Sequence, residues 1–452
     1  MGTTTMNTSI IRAKPTPITV LTRWLIASLV FGPLLLACGG SGSGGNSLIG
    51  PATIGNTGVS TSNPLRDVTT VNPDAPYADV LYRCALAETD GKLCNLETLP
   101  LLGMEIENPA ITDIMNRLLV SHDWMATRFE ELLTAYPQEM RTLFRGLTAI
   151  VIDADIRPAH YRSDTGAIYL DPAYLWTSNL EKQTINKQKD YRAGFSDPLA
   201  FRSWGRYLKD GEYAYDFGSL DDSSSRSLEH VVLINARLLL HELAHVNDFL
   251  PYDSYGSINT RHTVYQAIDN LPSGRLSDRL TAAAPLSSEL LYRLAGVMYR
   301  GNTPESELTE VTATQVGNEF EMDATTDHYA YSSQFEDVAM LFEVAMMKYF
   351  WDIDYEVAFV EPTGAEAFCD DYLIGWGRQS WLGDTDVKQR AIFVTDELMP
   401  TIDMSLFYQD LSLPSASRQD WCLPRPSNAS GQNAKTDHLT PVNPEDFERR
   451  PH

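Results

Sequence analysis

The sequence predicts a mixed α+β fold that is predominantly helical. Residues 228–250 form a long apolar run without Pro or Gly that stops at Pro251, which is typical of a buried helix. Residues 335–351 form a second apolar run with helical periodicity. Two short apolar runs bounded by turn residues, 149–153 and 166–171, predict strands that precede the first of these helices in the chain.

The first 38 residues predict a signal peptide. Positively charged residues precede a short apolar stretch at 24–36, as in the n- and h-regions of such peptides. The following Ala37-Cys38-Gly39 resembles the lipobox of bacterial lipoproteins, which implies cleavage before Cys38 and a lipid anchor on that cysteine. Translation from Met6 would give a more usual signal length. An uncleaved membrane anchor and an ordinary signal peptide with a chance cysteine are the alternatives.

Three further segments follow the signal peptide. Residues 39–75 are rich in Gly, Ser, Thr and Asn and predict a flexible tether. Residues 76–423 are long enough for one large lobe or two closely packed lobes with a substantial core. Residues 424–452 are rich in Pro, Asn and charge without periodicity, and predict a loose tail.

The charge of the chain excludes some partners. With 35 Lys and Arg against 60 Asp and Glu, the net charge is −25. Such a charge argues against binding of nucleic acid and against broad adhesion to anionic membrane surfaces.

The cysteines favour an oxidising compartment. Apart from Cys38 the chain has four, and an even number in an exported chain predicts two disulfides. Of the three possible pairings, proximity in sequence favours Cys84–Cys94 and Cys369–Cys422. Zinc ligation by these cysteines is the weaker interpretation, because none belongs to a C-x-x-C pair.

The segment His241-Glu242-Leu243-Ala244-His245 carries the strongest chemical signal. Two histidines four residues apart share one face of a helix, so both imidazoles can reach one metal ion. Glu242 then lies where it can take a proton from a metal-bound water. Burying these polar groups on an apolar helix is costly unless a metal satisfies them. The alternative is a helix whose histidines are hydrogen-bonded core residues.

A catalytic zinc site needs a third protein ligand. The H-E-x-x-H-x-x-G-x-x-H arrangement is excluded, because Asp248 stands in place of its glycine and Pro251 in place of its third histidine. Glu336 is the best candidate, since it lies in the first turn of the second predicted helix, which Ser332 or Ser333 can cap. The rival ligands left open are Asp327, Glu319, Glu321 and Glu343. The alternative for most of these acids is a solvated face.

These segments resemble the gluzincin metallopeptidases, most closely the anthrax lethal factor type. Val246-Asn247-Asp248 follows the second histidine, and Tyr329 stands seven residues before Glu336-Asp337-Val338-Ala339, as in that group. The resemblance implies a zincin-like metallopeptidase core with a small twisted sheet before the H-E-x-x-H helix. It departs at Met340, where related proteins often have an acidic residue, and whether Glu343 compensates is left open.

The resemblance also implies roles at the site. His241, His245 and Glu336 would hold one catalytic Zn²⁺, Glu242 would be the general base, and Tyr329 would donate a hydrogen bond to the oxyanion. Tyr331 is a weaker candidate for the same task. Asp327, near these tyrosines, is similar to the ligand of the aspartate-ligand zincins. Asp248 is expected to orient His245 or the following turn through a hydrogen bond. In zincins the edge strand of the sheet lines the cleft, and we assign residues 166–171 to that edge.

The sequence therefore predicts a zinc metallopeptidase that hydrolyses peptide bonds of a polypeptide substrate. Its expected place is the bacterial cell envelope, lipid-anchored through Cys38, and in the outer membrane if the source is Gram-negative. The competing hypothesis is a non-catalytic envelope lipoprotein that keeps a zincin fold as a binding or assembly scaffold. A third keeps the zinc chemistry and takes peptidoglycan amides as substrate. The sequence does not predict an oligomeric state.

Overall fold

The prediction of a mixed α+β, mostly helical fold is confirmed. The computed structural model describes residues 67–88, 90–215, 218–361 and 372–417. The α-helices of this part of the chain are α1 (Ala78–Ala85), α2 (Leu102–Glu105), α3 (Ile111–Met115), α4 (Asp123–Ala135), α5 (Asn179–Lys182), α6 (Leu228–Phe249), α7 (Val264–Asp269), α8 (Leu276–Ala283), α9 (Glu289–Arg300), α10 (Ala313–Glu321), α11 (Gln334–Trp351), α12 (Thr385–Leu398) and α13 (Ser405–Asp410).

The strands form two sheets. They are β1 (Thr69–Thr70), β2 (Leu118–Val120), β3 (Ala149–Ile152), β4 (His160–Arg162), β5 (Ala167–Leu170), β6 (Arg202–Lys209), β7 (Glu212–Tyr213), β8 (Asp354–Glu361), β9 (Leu373–Gln379) and β10 (Ser415–Ala416). The first sheet has the order β1-β2-β3-β5-β4, and the second has the order β10-β9-β8-β6-β7.

The first sheet precedes α6 in the chain, and its three central strands are parallel. β2, β3 and β5 pair in parallel, while β1 and β4 are antiparallel edges. The assignment of residues 166–171 to an edge is wrong, because β5 lies between β3 and β4 and is buried along its whole length. The edge next to β5 is β4, whose three residues are too few and too polar to show alternation in the sequence.

The folded region begins earlier than the predicted boundary at residue 76. Thr69 and Thr70 lie in the segment expected to be a tether, yet they pair with Val120 and Leu119 of β2. Pairing with β2 gives the backbone of this polar stretch its hydrogen-bond partners. Composition alone does not indicate such pairing.

The second sheet is antiparallel throughout. It combines strands that precede α6 in the chain with strands that follow it. β6 pairs with β8 from Arg202↔Val360 to Leu208↔Asp354, and β9 continues the sheet beyond β8. Strands β8 and β9 pack against α10, and β8 also contacts α11. The sheet thus supports the elements that follow α6.

Helices α6 and α11 pack against each other at the centre of the structure. Ser227 begins α6 by accepting a hydrogen bond from the His230 backbone N at 3.3 Å, and the helix ends just before Pro251. Of the two candidate caps of α11, Ser333 is the one used, and it accepts from the Glu336 backbone N at 3.3 Å. α6 is buried almost all round, so any polar group on it needs a partner inside the protein.

The structure contains the Cys84–Cys94 disulfide. Cys38, Cys369 and Cys422 lie outside the described residues, as do the signal peptide and the predicted tail at 424–452. Within the described ranges, none of the helices combines the length and the apolar character needed to cross a membrane.

Candidate metal centre

His241, His245 and Glu336 converge where α6 crosses the first turn of α11. Nε2 of His241 lies 3.0 Å from Oε2 of Glu336, and Nε2 of His245 lies 3.2 Å from the same oxygen. One donor atom from each of the three residues can be chosen so that all lie within 4.8 Å of one another. Each residue is at most 2% exposed. Two residues four apart on α6 and one on α11 therefore present three metal-ligand atoms to one point.

The electrostatics of this cluster favour a positive charge. Burial by itself lowers the pKa of His241, but hydrogen bonds and charges from Glu336 and Glu343 outweigh it and raise the pKa to about 10. Burial would raise the pKa of Glu336, yet the two histidines hold it well below its ordinary value. Both carboxylates therefore favour a positive charge at this imidazole. A divalent cation can supply that charge instead.

Glu242 is buried beside the cluster without a partner. Its side chain is 1% exposed, and neither carboxylate oxygen has a hydrogen-bond partner among the described residues. Burial raises its pKa, which makes the carboxylate a better base. An ionised group with two orphaned oxygens in the interior is costly unless a cation or water satisfies it.

The donor set fits a divalent metal ion, and zinc is one such ion. Two imidazole nitrogens and one carboxylate oxygen are a ligand set of catalytic zinc sites, which leave one position for water. The orphaned carboxylate of Glu242 is close enough to His241 and His245 for their charges to interact with it. His241, His245 and Glu336 are the residues that would hold the ion.

The rival acids either have other partners or contact the cluster in a different way. Asp327 caps the turn His328–Ser332, Glu319 accepts a hydrogen bond from Ser288, Glu321 pairs with Arg378, and Glu343 contacts the other nitrogen of His241.

Glu343 contacts His241 from the side opposite Glu336. Its Oε2 lies 2.9 Å from Nδ1 of His241, and its Oε1 accepts from Nε of Arg237 at 2.8 Å and from the hydroxyl of Tyr207. It stands seven residues after Glu336, so both acids point from the same face of α11. The compensation left open by the sequence is thus present as a contact, and it fixes the ring of His241.

Tyr329 lies beside the cluster and Tyr331 does not. The ring centroid of Tyr329 is 6.1 Å from that of His241. Burial, the charge of Glu336 and a hydrogen bond to it raise the pKa of Tyr329 well above its ordinary value, so the phenol stays a neutral donor. The hydroxyl of Tyr331 instead donates to Asp323 at 2.8 Å.

Asp248 contacts a different element from the one expected. Its Oδ1 accepts the backbone N–H of Ser277 at 2.7 Å, in the first turn of α8, and no hydrogen bond joins it to His245 among the described residues. The reason is that the first turn of a helix has N–H groups without intrahelical acceptors, and a buried carboxylate satisfies one. Burial raises the pKa of Asp248 to about 6.

Sequence reasoning missed the residues that surround the ligands. Arg237 lies one turn before His241 on the same helix face, and a charged residue at that spacing in an apolar run is a signal that could have been used. Tyr207 is on a strand that was not predicted. Arg192, held by Asp190, comes near enough to Tyr329 for its positive charge to act on the phenol. The segment between α5 and β6 therefore borders the site.

Comparisons of the chain with models of protein families, with curated proteins and with solved structures found no match. A proposal for the chemistry of this site therefore rests on its own residues.

Proposed function

We propose that this protein is a zinc-dependent peptidase with a zincin-like core. The observation that carries the proposal is the convergence of His241, His245 and Glu336 beside a buried, unpartnered Glu242. Three ligand atoms with one carboxylate base adjoining them are the parts that hydrolysis of an amide by water requires.

When bound, zinc would lower the pKa of water and polarise a carbonyl group. Glu242 would take the proton of the attacking water and later transfer it to the leaving amine. Its raised pKa suits both steps, because the base must also release the proton. Tyr329 would donate its phenolic proton in a hydrogen bond to the developing oxyanion, where a neutral donor stabilises negative charge.

We assign the polypeptide substrate to the edge of the first sheet. β4 contacts α6, and no further strand pairs with β4 among the described residues. An extended peptide adding to this edge would use main-chain hydrogen bonds, which suits recognition of a polypeptide. Lipid anchoring through Cys38 in a bacterial envelope belongs to the same proposal and is supported by the sequence alone.

The test measures zinc and hydrolysis in the same variants. We expect the purified protein to hold one zinc ion, Glu336→Ala to lose it, and Asp327→Ala to keep it as the matched acidic control. We expect Glu242→Gln to retain zinc and fold while losing cleavage of a peptide library.

Other outcomes separate the competing functions. Folded wild-type protein that holds no zinc after reloading would contradict the peptidase and leave the non-catalytic scaffold. Loss of zinc only in Asp327→Ala would contradict the ligand assignment. Release of cell-wall fragments without cleavage of polypeptides would move the substrate to peptidoglycan amides.

A further inference from the structure

Two tyrosines of the second sheet lie next to each other beneath the site. Tyr207 on β6 and Tyr355 on β8 are direct partners in the antiparallel register. Their ring centroids are 4.8 Å apart, and each side chain is 5% exposed. Each hydroxyl donates to a buried carboxylate, and the two carboxylates serve different halves of the site.

The first tyrosine acts on the histidine ligand. The Tyr207 hydroxyl donates to Oε1 of Glu343, whose Oε2 lies 2.9 Å from Nδ1 of His241. A carboxylate fixed from behind holds the imidazole ring in one orientation, with Nε2 turned toward the other ligand atoms.

The second tyrosine acts on the oxyanion donor. The Tyr355 hydroxyl donates to Oδ2 of Asp327, whose Oδ1 accepts the backbone N–H of Tyr329 at 2.8 Å. Asp327 is the cap of the turn His328–Ser332, so its orientation sets where that turn begins. The acid that competed for the role of metal ligand thus positions Tyr329 instead.

We infer that the cross-strand pair Tyr207–Tyr355 is a positioning device that sets the distance between the metal ligands and the oxyanion donor. Both chains of contacts start from adjacent residues of one sheet. Phenols suit this task because they add donors without adding charge to the interior, and their rings have few torsions to fix. The inference rests on the proposed function. It gives the second sheet a positioning role that the packing of α6 on α11 does not provide.

The experiment compares Tyr207→Phe and Tyr355→Phe, which remove one hydroxyl each and keep the rings. Tyr213→Phe is the matched control, because Tyr213 is on β7 of the same sheet, 44% exposed and without contact to either carboxylate. Zinc affinity is measured by competition with a chelator, and kcat and KM are measured on a cleaved peptide. The melting temperature of the zinc-free protein reports general stability.

We expect the two variants to differ in kind. Tyr207→Phe should weaken zinc binding about threefold to tenfold, because Arg237 still holds Glu343. Tyr355→Phe should leave zinc affinity unchanged and lower kcat about tenfold at unchanged KM, because Tyr329 shifts relative to the oxyanion. The control should change neither quantity.

Three results would overturn the inference. Wild-type values in both variants would show that the hydroxyls position nothing. Parallel loss of zinc affinity, kcat and melting temperature in both would make the pair merely structural. Wild-type protein without zinc and without peptide cleavage would contradict the proposed function and this inference together, whereas the first two results leave the proposed function standing.

Discussion

Replacing Glu343 by Gln tests whether the charge behind His241 matters for the metal. The substitution keeps the shape of the side chain and removes one negative charge. Glu343 now satisfies three groups with two oxygens, namely His241, Arg237 and Tyr207. Gln has one oxygen, so it cannot accept on both sides of its amide. Either the histidine or the arginine loses its acceptor.

The expected magnitudes follow from burial. Glu343 is 0% and Arg237 4% exposed, so the variant leaves a buried guanidinium without its counter-charge. Removing one partner of such a pair costs about 3 kcal/mol, or roughly 4 °C in melting temperature for a folded region of this size. Loss of an outer carboxylate behind a metal-bound histidine weakens metal binding about 10- to 100-fold, which is about 1.4–2.8 kcal/mol.

A double variant separates the two effects. In Arg237→Met/Glu343→Met both charges are gone, so most of the lost stability should return. Zinc affinity should stay low, because His241 Nδ1 still lacks its acceptor. Chelator competition gives the zinc affinity and thermal unfolding of the zinc-free protein gives the stability. Zinc affinity at the wild-type level in Glu343→Gln would refute the reasoning.

Three further predictions concern stability. Arg390→Met should cost about 3–5 kcal/mol in urea unfolding, because it leaves the buried carboxylate of Asp337 without its bidentate partner, and a loss under 1 kcal/mol would contradict this. Burial raises the pKa of Asp153 from 3.8 to about 6, so its ionisation opposes folding increasingly as pH rises through that window. Asp153→Asn should therefore gain about 1–3 kcal/mol over wild type at pH 7 and nothing at pH 4, and a gain independent of pH in melting curves would argue against this cause. Serine at both Cys84 and Cys94 should cost about 3 kcal/mol, since the bridge closes a loop with a sequence separation of 10, and unchanged melting under oxidising conditions would disprove it.

Local signals in the sequence predict the two central helices well. The apolar runs of α6 and α11 persist over many turns, and serine at the start of α11 is a local cap. The spacing of His241 and His245 is also local, so one helix face brings them together whatever the rest of the fold. Glu336 could not be chosen from local spacing alone, because several acids in the same stretch have equal chemistry.

The second sheet could not be predicted because its pairing is not local. β6 contains Arg206, and an arginine in a sequence predicts an exposed position. In the structure Glu356, 150 residues later in the chain, pairs with it across the sheet. Neither residue alone indicates burial. β4 was not predicted for a different reason. Its three residues are too few to show the alternation of apolar and polar side chains that indicates a strand.

The role of Asp327 could not be predicted from the residue types around it. The sequence places this acid near two tyrosines, which is equally compatible with a ligand and with a cap. In the structure its carboxylate accepts from the hydroxyl of Tyr355 and from the backbone N–H of Tyr329, which is the role of a cap.

The pairing of β6 with β8 has a consequence for how the protein matures. In the chain, β6 precedes and β8 follows the stretch that carries the three proposed ligand residues. A nascent chain that ends before Asp354 would hold every ligand and still lack the strand that closes this stretch. The Tyr355 hydroxyl therefore reaches Asp327 only after β8 has been synthesised and has paired with β6.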